Sequence, residues 1–261
     1  MSHPLRNHHH KPTSGGPAWP SFRGTAQQVG VSPSGAVTVY VDPSLGAAGQ
    51  QNAQDLLADA DRVVAANNAL FGTKGGPVSV IVFALGGATD GTGGADHMGC
   101  DFQSGGAIEV CASFGAPARV SALFEAELSE CAMGGRLCGI STGEALSRWC
   151  AATTSNNALS DFATAPEWVA AKVPDWVTQT DTSDQHPVST GCGMAFISWL
   201  LHKGQSLNGI AAGLVGLKDT GTFEALYQKL TNTTDNPWSS FLSDVKALPG
   251  GVTSDDPFGA A

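Results

Sequence analysis

A change of hydrophobic pattern near residue 117 divides this chain into two parts and constrains its fold more than any other feature. Upstream of it, short runs rich in β-branched residues predict strands, at residues 36–41, 77–85 and 107–112. Residues 51–71, between the first two runs, place their apolar side chains at helical spacing and predict an amphipathic helix. The glycine-rich residues 86–94 predict a loop. We therefore expect a small N-terminal β-sheet in which one helix joins two strands.

Downstream of the change, the pattern is helical almost throughout. Segments separated by turns rich in Gly, Pro and Asn predict helices, at residues 117–131, 142–150, 189–202, 206–215, 220–230 and 237–248. Strands followed by helices are typical of an α+β fold, so we expect that class with a mostly helical C-terminal half. The expected organisation is a flexible tail over residues 1–35, a single domain over 36–248 and a C-terminal tail over 249–261.

The charge balance excludes two classes of partner. The chain has 13 Lys and Arg residues against 23 Asp and Glu residues, and its formal net charge is -10. Such a surface repels phosphate backbones and anionic lipid headgroups, so neither nucleic acid nor a membrane is an expected partner. No apolar run approaches the roughly 20 residues that a membrane-spanning helix needs.

The cysteine count points to an oxidising compartment. The 6 cysteines occur in a sequence of 261 residues with 33 glycines. An even number of cysteines in a glycine-rich, lysine-poor chain is typical of a secreted protein with structural disulfides. No pair has the CxxC spacing of a zinc ribbon or a redox motif. We expect a secreted or periplasmic protein, although residues 1–20 contain no apolar signal segment.

One carboxylate stands out on the predicted helix 117–131. At helical spacing, Glu127 falls within the apolar stripe formed by its neighbours on that helix, and Glu130 lies on the same side. Glu125 projects to the opposite side. Because a buried carboxylate needs a partner or a raised pKa, Glu127 is the first candidate for a functional residue. The alternative is a structural carboxylate that arginine or backbone donors satisfy.

The segments AELSE, residues 126–130, and GEALS, residues 143–147, resemble the HExxH helix and the later glutamate helix of the gluzincin metallopeptidases. The resemblance implies that Glu127 matches the general base and Glu144 the downstream zinc-binding glutamate. Ala126 and Glu130 occupy the two zinc-histidine positions, so the zinc motif is degenerate. The predicted order of strands and helices also looks like the N-terminal half of a gluzincin core, whose edge strand lines the substrate cleft. Over residues 36–248 the chain is similar to bacterial proteins that carry ELSE, GEALSR and STGC segments.

The resemblance places residues 95–101 at the edge strand and cleft, which makes His97 and Asp101 candidates for substrate binding. A site formed by His97 and the three glutamates would be rich in oxygen ligands. It would suit manganese, iron or calcium better than tetrahedral zinc. The alternatives are a metal-free carboxylate cluster, which implies no cofactor, and a simple hydrogen-bonded loop histidine. Glu144 also has Arg148 at i+4, the spacing of an ordinary surface ion pair.

Two tryptophans follow in a segment interrupted by prolines. Trp168 and Trp176 could stack on a sugar or clamp a peptide, and the alternative is that they anchor the core.

Three functions are therefore compatible with the sequence. The first is a gluzincin-like pseudoenzyme that binds a peptide, a glycan or another polymer. The second is a hydrolase whose glutamates act without metal, as in glycoside hydrolases. The third is a hydrolase with an oxygen-rich metal site. If the protein is an enzyme, it is expected to be a peptidase-like hydrolase.

Overall fold

The computed structural model describes residues 16–103, 106–155 and 163–261. A five-stranded sheet lies in the first half of the chain, in the order β1-β2-β3-β5-β4. Its strands are β1 (Gln27–Val31), β2 (Val37–Val41), β3 (Val78–Phe83), β4 (Ala95–His97) and β5 (Ala107–Cys111). The three central strands are parallel, and both edge strands run antiparallel to their neighbours.

Two helices pack on one face of this sheet. They are α1 (Gly46–Phe71) and α2 (Pro117–Met133). Valines and isoleucines of the central strands form a buried core with α1 and α2. A proline at the first helical position starts α2, where its missing N–H costs no hydrogen bond. The Asn52 side chain of α1 bonds the backbone of Ser113, just before α2, and so fixes the two helices relative to each other.

A second core lies among the helices of the C-terminal half. These are α3 (Ser141–Thr154), α4 (Ala165–Ala170), α5 (Pro187–His202), α6 (Leu207–Leu217), α7 (Phe223–Thr231) and α8 (Trp238–Lys246). Helix α5 is buried along most of its length, and aromatic rings from several helices surround it. Since α3 packs on both α2 and α5, it joins the two cores.

The structure confirms the α+β class, and each predicted strand and helix has a counterpart within a few residues of its expected ends. Apart from short 3-10 turns, three elements were not predicted, namely β1, β4 and α4. Strand β1 has only two apolar side chains, Val29 and Val31, and β4 contains only 3 residues. Such strands are specified by their partners in the sheet and not by their own sequence.

The segment expected to be a tail takes part in the fold from residue 16 onward. Trp19 and Phe22 are buried against the outer face of the sheet. Glu109 of β5, which is fully buried on that face, accepts hydrogen bonds from the backbone N–H of Ser21 (3.0 Å) and Phe22 (3.2 Å) and from the Ser21 hydroxyl. Burial of these aromatic rings and pairing of Glu109 hold the segment in place. The remainder of the expected tail, residues 1–15, lies outside the described residues.

The expected C-terminal tail also packs on the domain. Asp255 is fully buried and accepts hydrogen bonds from the backbone N–H of Thr164 (2.8 Å) and Ala165 (2.6 Å) at the start of α4. Asp256 accepts a hydrogen bond of 2.7 Å from the Ser198 hydroxyl of α5. The two aspartates thus accept hydrogen bonds from backbone N–H groups at a helix start and from a hydroxyl group. Without them, these donors would need water as a partner.

The cysteines form one disulfide, between Cys100 and Cys138, whose Cα atoms are 5.9 Å apart. The other four cysteines are buried thiols, at positions 111, 131, 150 and 192. The expectation of structural disulfides is therefore confirmed for one pair of cysteines, and the other four are thiols. In the part of the chain that the structure describes, no helix combines the length and apolarity needed to cross a membrane.

Candidate functional site

The end of β4 and the middle of α2 bring three side chains together. His97 is the last residue of β4 and pairs with Ile108 of β5, which faces the helices. Its Nε2 atom lies 2.8 Å from Glu130 Oε2 and 3.5 Å from Glu127 Oε2. Both glutamates lie on the face of α2 that the helical spacing predicted. A strand end and a helix therefore supply the core of the site.

The hydrogen bonds of His97 fix its orientation. Nδ1 lies 2.5 Å from the carbonyl oxygen of Gly99, which can only accept a hydrogen bond, so Nδ1 carries a proton. Nε2 then faces the carboxyl groups. The short contact between Nε2 and Glu130 needs a hydrogen atom between the ring nitrogen and the carboxyl oxygen. Histidines that bind a metal through Nε2 have the same orientation, with Nδ1–H bonded to a backbone carbonyl.

Burial dominates the electrostatics of the two glutamates. It raises the pKa of Glu127 well above its usual value, and the nearby charge of Glu130 raises that pKa further, while His97 opposes the shift. Burial likewise raises the pKa of Glu130, and repulsion from Glu144 adds to the effect. The hydrogen bond between the two carboxyl groups raises the pKa of Glu127, and it has the opposite effect on Glu130. Both carboxyl groups therefore hold a proton more tightly than an exposed glutamate does.

Glu144 joins the cluster from the first turn of α3. Its carboxylate accepts a hydrogen bond of 2.9 Å from Nε of Arg148, one turn further along the helix. A glycine precedes it, and a Cβ atom at Gly143 would overlap the carbonyl oxygen of Leu137. The close approach of α3 to the short 3-10 turn Gly135–Gly139 therefore holds Glu144 beside Glu130.

These residues lie in a cavity of about 430 Å³. One wall is a face of α2, formed by Arg119, Ala122, Leu123, Ala126, Glu127 and Glu130. Residues 93–97, which include β4, form a second wall, and α3 contributes Glu144, Ser147 and Arg148. Asp184 and Gln185 also contact the cavity. Its volume lies within the range of about 300–1,000 Å³ that is typical of small-ligand sites.

The structure brings together His97, Glu127, Glu130 and Glu144, the four residues of the proposed oxygen-rich cluster. Arg119 was missed by the sequence analysis, although it stands seven residues before Ala126 and therefore on the same helix face. Ser147 and Asp184 had no recognisable signal. They reach the cavity through the packing of α3 and of the segment before α5.

The two tryptophans that were predicted to bind substrate lie apart from the four clustered residues. Trp168 is fully buried, its ring stacks on Phe241 at 5.6 Å between centroids, and its Nε1 donates to the Pro174 carbonyl oxygen. Its assignment to substrate binding is therefore corrected, because both faces of the ring belong to the core. Trp176 is half-buried beside His186, and Asp101 is exposed. Neither is among the described residues that line the cavity.

No family model and no curated protein matches the chain. Among solved structures, the chain is similar to one described as yeast LTA4 hydrolase in complex with Bestatin, with a TM-score of 0.44 and 12% sequence identity. The similarity covers 85% of this chain and 38% of that one. This likeness is distant, and we draw no conclusion about activity from it.

The site does not fit the zinc centre of a gluzincin. Ala126, which the resemblance aligns with one zinc histidine, lines the cavity and has no ligand atom, and Glu130 stands where the resemblance puts the other. Within residues 16–103, 106–155 and 163–261, the one group of three or more residues suited to a metal is His97, Glu127 and Glu130. One ligand atom from each lies within 4.8 Å of the others. This set has one imidazole and two carboxylates, which suits a harder divalent ion than structural zinc.

Proposed function

We propose that this protein binds a peptide in the cavity and does not cleave it. The observation that carries the proposal is the cavity face of α2, where Ala126 stands beside Glu127 and Glu130. The resemblance assigns a zinc histidine to Ala126, and a methyl group cannot bind a metal. The protein is then a gluzincin-like pseudoenzyme that keeps the cleft and lacks the hydrolytic zinc.

The charges of the site support a role without metal. His97 faces Glu130, and Arg148 faces Glu144. Burial raises the pKa of Glu127 well above its usual value. Glu130 and Glu144 thus each have a basic partner, and the cluster is partly compensated by its own residues.

A peptide is a better candidate than a glycan. Sugar recognition relies on exposed aromatic faces, and the Trp168 ring belongs to the core. The burial of Trp168 also weakens the case for a glycoside hydrolase that uses its carboxylates without metal. The cavity instead combines charged side chains with the apolar side chains of Ala122, Leu123 and Ala126.

A hydrolase with an oxygen-rich metal site is the second candidate. The orientation of His97 favours it, since the Nδ1–H group bonds a backbone carbonyl and leaves Nε2 toward two carboxylates. This is the arrangement in which outer hydrogen bonds orient a metal-binding histidine.

Metal content and peptide cleavage distinguish the two candidates. We would replace His8, His9 and His10 with alanine, because this run could bind stray metal. The purified protein would then be analysed by mass spectrometry for metal, titrated calorimetrically with Mn²⁺ and Zn²⁺, and incubated with trialanine. We expect less than one-tenth of a metal ion per chain, binding of trialanine and no cleavage, on the reasoning that the cluster is already partly compensated.

The opposite results are equally specific. One metal per chain that is lost in the Glu130→Gln variant would support the second candidate. Cleavage of trialanine that disappears in Glu127→Gln would overturn the pseudoenzyme. A matched control is Glu167→Gln, because Glu167 is an exposed glutamate of α4 and should change neither result.

We also propose that the protein functions in an oxidising compartment, as a secreted or periplasmic protein. The disulfide between Cys100 and Cys138 supports this proposal, because such bonds persist mainly outside the cytosol.

A further inference from the structure

A short segment of chain, residues 16–24, lies on the outer face of the sheet, on the side away from α1 and α2. We call this segment the strap. Its side chains Trp19 and Phe22 are buried. The Trp19 ring packs on Tyr40 of β2 with centroids 5.3 Å apart, and the Phe22 ring packs on Phe83 of β3 at 5.1 Å. Two aromatic anchors therefore fix the strap on the sheet.

The strap also supplies the hydrogen bonds of a buried carboxylate. Glu109 of β5 is fully buried on the outer face. Within the described residues, its hydrogen-bond donors are the backbone N–H groups of Ser21 (3.0 Å) and Phe22 (3.2 Å) and the Ser21 hydroxyl. Burying a carboxylate without such donors is costly. The stability of Glu109 in this place therefore depends on the strap.

A second carboxyl group stands opposite Glu109 at the edge of the sheet. Asp96, the middle residue of β4, is the antiparallel partner of Glu109. Side chains of paired residues lie on the same face, with Cβ atoms about 5 Å apart, and like charges at such positions destabilise the pairing. Asp96 is exposed, and its carboxylate accepts a hydrogen bond of 2.8 Å from the backbone N–H of His97. Because the strap donors offset the charge of Glu109, they also weaken its repulsion of Asp96.

The position of β4 depends on its pairing with β5. Strand β4 lies at the edge of the sheet and contains 3 residues. On either side of it, the N–H of Met98 donates to the Ala107 carbonyl oxygen (3.1 Å) and that of Cys111 donates to the Gly94 carbonyl oxygen (2.8 Å). His97, the last residue of β4, points to the cavity on the other face. A loosened pairing would therefore move the imidazole ring in the cavity.

We propose that the strap is a conformational device that positions His97 from the opposite face of the sheet. The docked strap offsets the charge of Glu109 and lets β4 pair with β5. A released strap leaves two carboxylates facing each other, and β4 becomes loose together with His97. The outer face of the sheet is then a surface from which the cavity can be regulated. The inference goes beyond the proposed function, because it concerns the position of a side chain and not the identity of a ligand.

Amide hydrogen exchange, measured by NMR on the full chain, tests the inference. A release variant carries Trp19→Ala and Phe22→Ala, which remove both anchors of the strap. We expect the amides of Met98 and Cys111 to exchange about fivefold faster in this variant than in the wild type. The amide of Val78, which bonds the residue before β2, should be unchanged.

A rescue distinguishes charge repulsion from a loss of packing. Adding Asp96→Asn to the release variant removes one of the two facing charges and restores no packing. The asparagine oxygen can still accept a hydrogen bond from the N–H of His97. We therefore expect exchange at Met98 and Cys111 to return to within about twofold of the wild type.

A milder variant keeps the test valid if the release variant does not fold. Ser21→Ala removes one donor to Glu109 and keeps both aromatic anchors, so the same amides should exchange about twofold faster. The Nδ1–H proton of His97, which bonds a backbone carbonyl, reports on the cavity directly and should exchange faster by the same factor. The matched control is Ser34→Ala, because the Ser34 hydroxyl also bonds a carboxylate, that of Asp61 on α1. This control should leave the β4 amides unchanged.

Selective loosening of β4 that Asp96→Asn reverses would support the inference. Unchanged β4 amides in both Ser21→Ala and the release variant would overturn it. Faster exchange throughout the sheet that Asp96→Asn does not reverse would overturn it as well, because the strap would then act only as part of the core. These measurements use no ligand, so their outcome is independent of whether the cavity binds a peptide.

Discussion

Glu125 and Glu127 lie two residues apart on α2 and have different surroundings. Glu127 faces the cavity, whereas Glu125 projects to the other side, as the helical spacing predicted. Glu125 is fully buried, and neither of its carboxyl oxygens has a hydrogen-bond partner. Burial raises its pKa well above the usual value, and the charge of Arg62 on α1 opposes this shift without cancelling it. On the α3 side its neighbour is the buried thiol of Cys150.

Replacing Glu125 should therefore stabilise the protein. We expect Glu125→Leu, which has a similar volume and no polar atoms, to raise the free energy of unfolding by about 1–3 kcal/mol at pH 7. Urea unfolding of the two proteins would measure the difference. Loss of stability in Glu125→Leu would contradict the prediction and would mean that a partner, such as a buried water, satisfies this carboxyl group.

The pH dependence of stability gives a second measure of Glu125. The folded carboxyl group stays neutral at a pH where the unfolded one, with a pKa near 4.5, is ionised. The wild type should therefore lose stability relative to Glu125→Gln as pH rises above about 4.5, by up to about 1.4 kcal/mol per pH unit. The loss ends where the folded group ionises. Unfolding measured from pH 4 to pH 8 checks this, with Glu167→Gln as the exposed control, and parallel curves would exclude it.

The residues that α2 contributes to the site could be predicted from the sequence because the helix period is regular. Glu127 and Glu130 share a face of α2 for that reason, and His97 and Glu144 were placed by the resemblance. Trp168 could not be assigned in this way, since an aromatic ring serves a core and a ligand equally well. Only the packing of α8 against α4, which puts Phe241 on the ring, decides between them.

Among the elements, the start of α3 is the most sensitive to a small change. A Cβ atom at Gly143 would overlap the carbonyl oxygen of Leu137, so Gly143→Ala must push α3 away from the 3-10 turn. We expect a loss of about 1–3 kcal/mol in unfolding free energy and weaker trialanine binding, because Glu144 moves with the helix. Gly139→Ala is the matched control, since nothing lies within 4 Å of a Cβ atom there. If the two variants are equally stable in urea, the close approach does not limit the packing of α3.

Long elements were predictable and short ones were not. Helices α1 and α2 carry several turns of periodic sequence, so their existence follows from the chain alone. Strand β4 contains 3 residues, and only its pairing with β5 defines it. The site depends on this strand, because β4 carries His97. Sequence patterns therefore identified the helix side of the cavity better than its strand side.

In the molecule as a whole, the disulfide links the two walls of the cavity. Cys100 follows β4 by three residues, and Cys138 lies in the turn between α2 and α3. Closing a loop of 38 residues should stabilise the fold by about 4 kcal/mol in the chain-entropy model. We expect a Cys100→Ser, Cys138→Ser double variant to lose stability of this order and to bind trialanine more weakly.

A reducing agent provides the internal control for this prediction. It should destabilise the wild type to the level of the double variant and leave the double variant unchanged, because the remaining cysteines are already thiols. A further loss on reduction of the double variant would mean that another pair of cysteines is bonded. Unfolding in urea with and without the reducing agent measures both effects.

The two ends of the described chain are fastened by contacts between residues that are far apart in sequence. Ser21 and Glu109 are separated by 88 residues, and Thr164 and Asp255 by 91. We expect contacts that close such long loops to form late in folding, after the local helices and the parallel strands. Interactions that are absent from the transition state slow unfolding without speeding folding. We therefore expect these buried carboxylates to lengthen the lifetime of the folded molecule, and with it resistance to proteolysis wherever cleavage requires global unfolding.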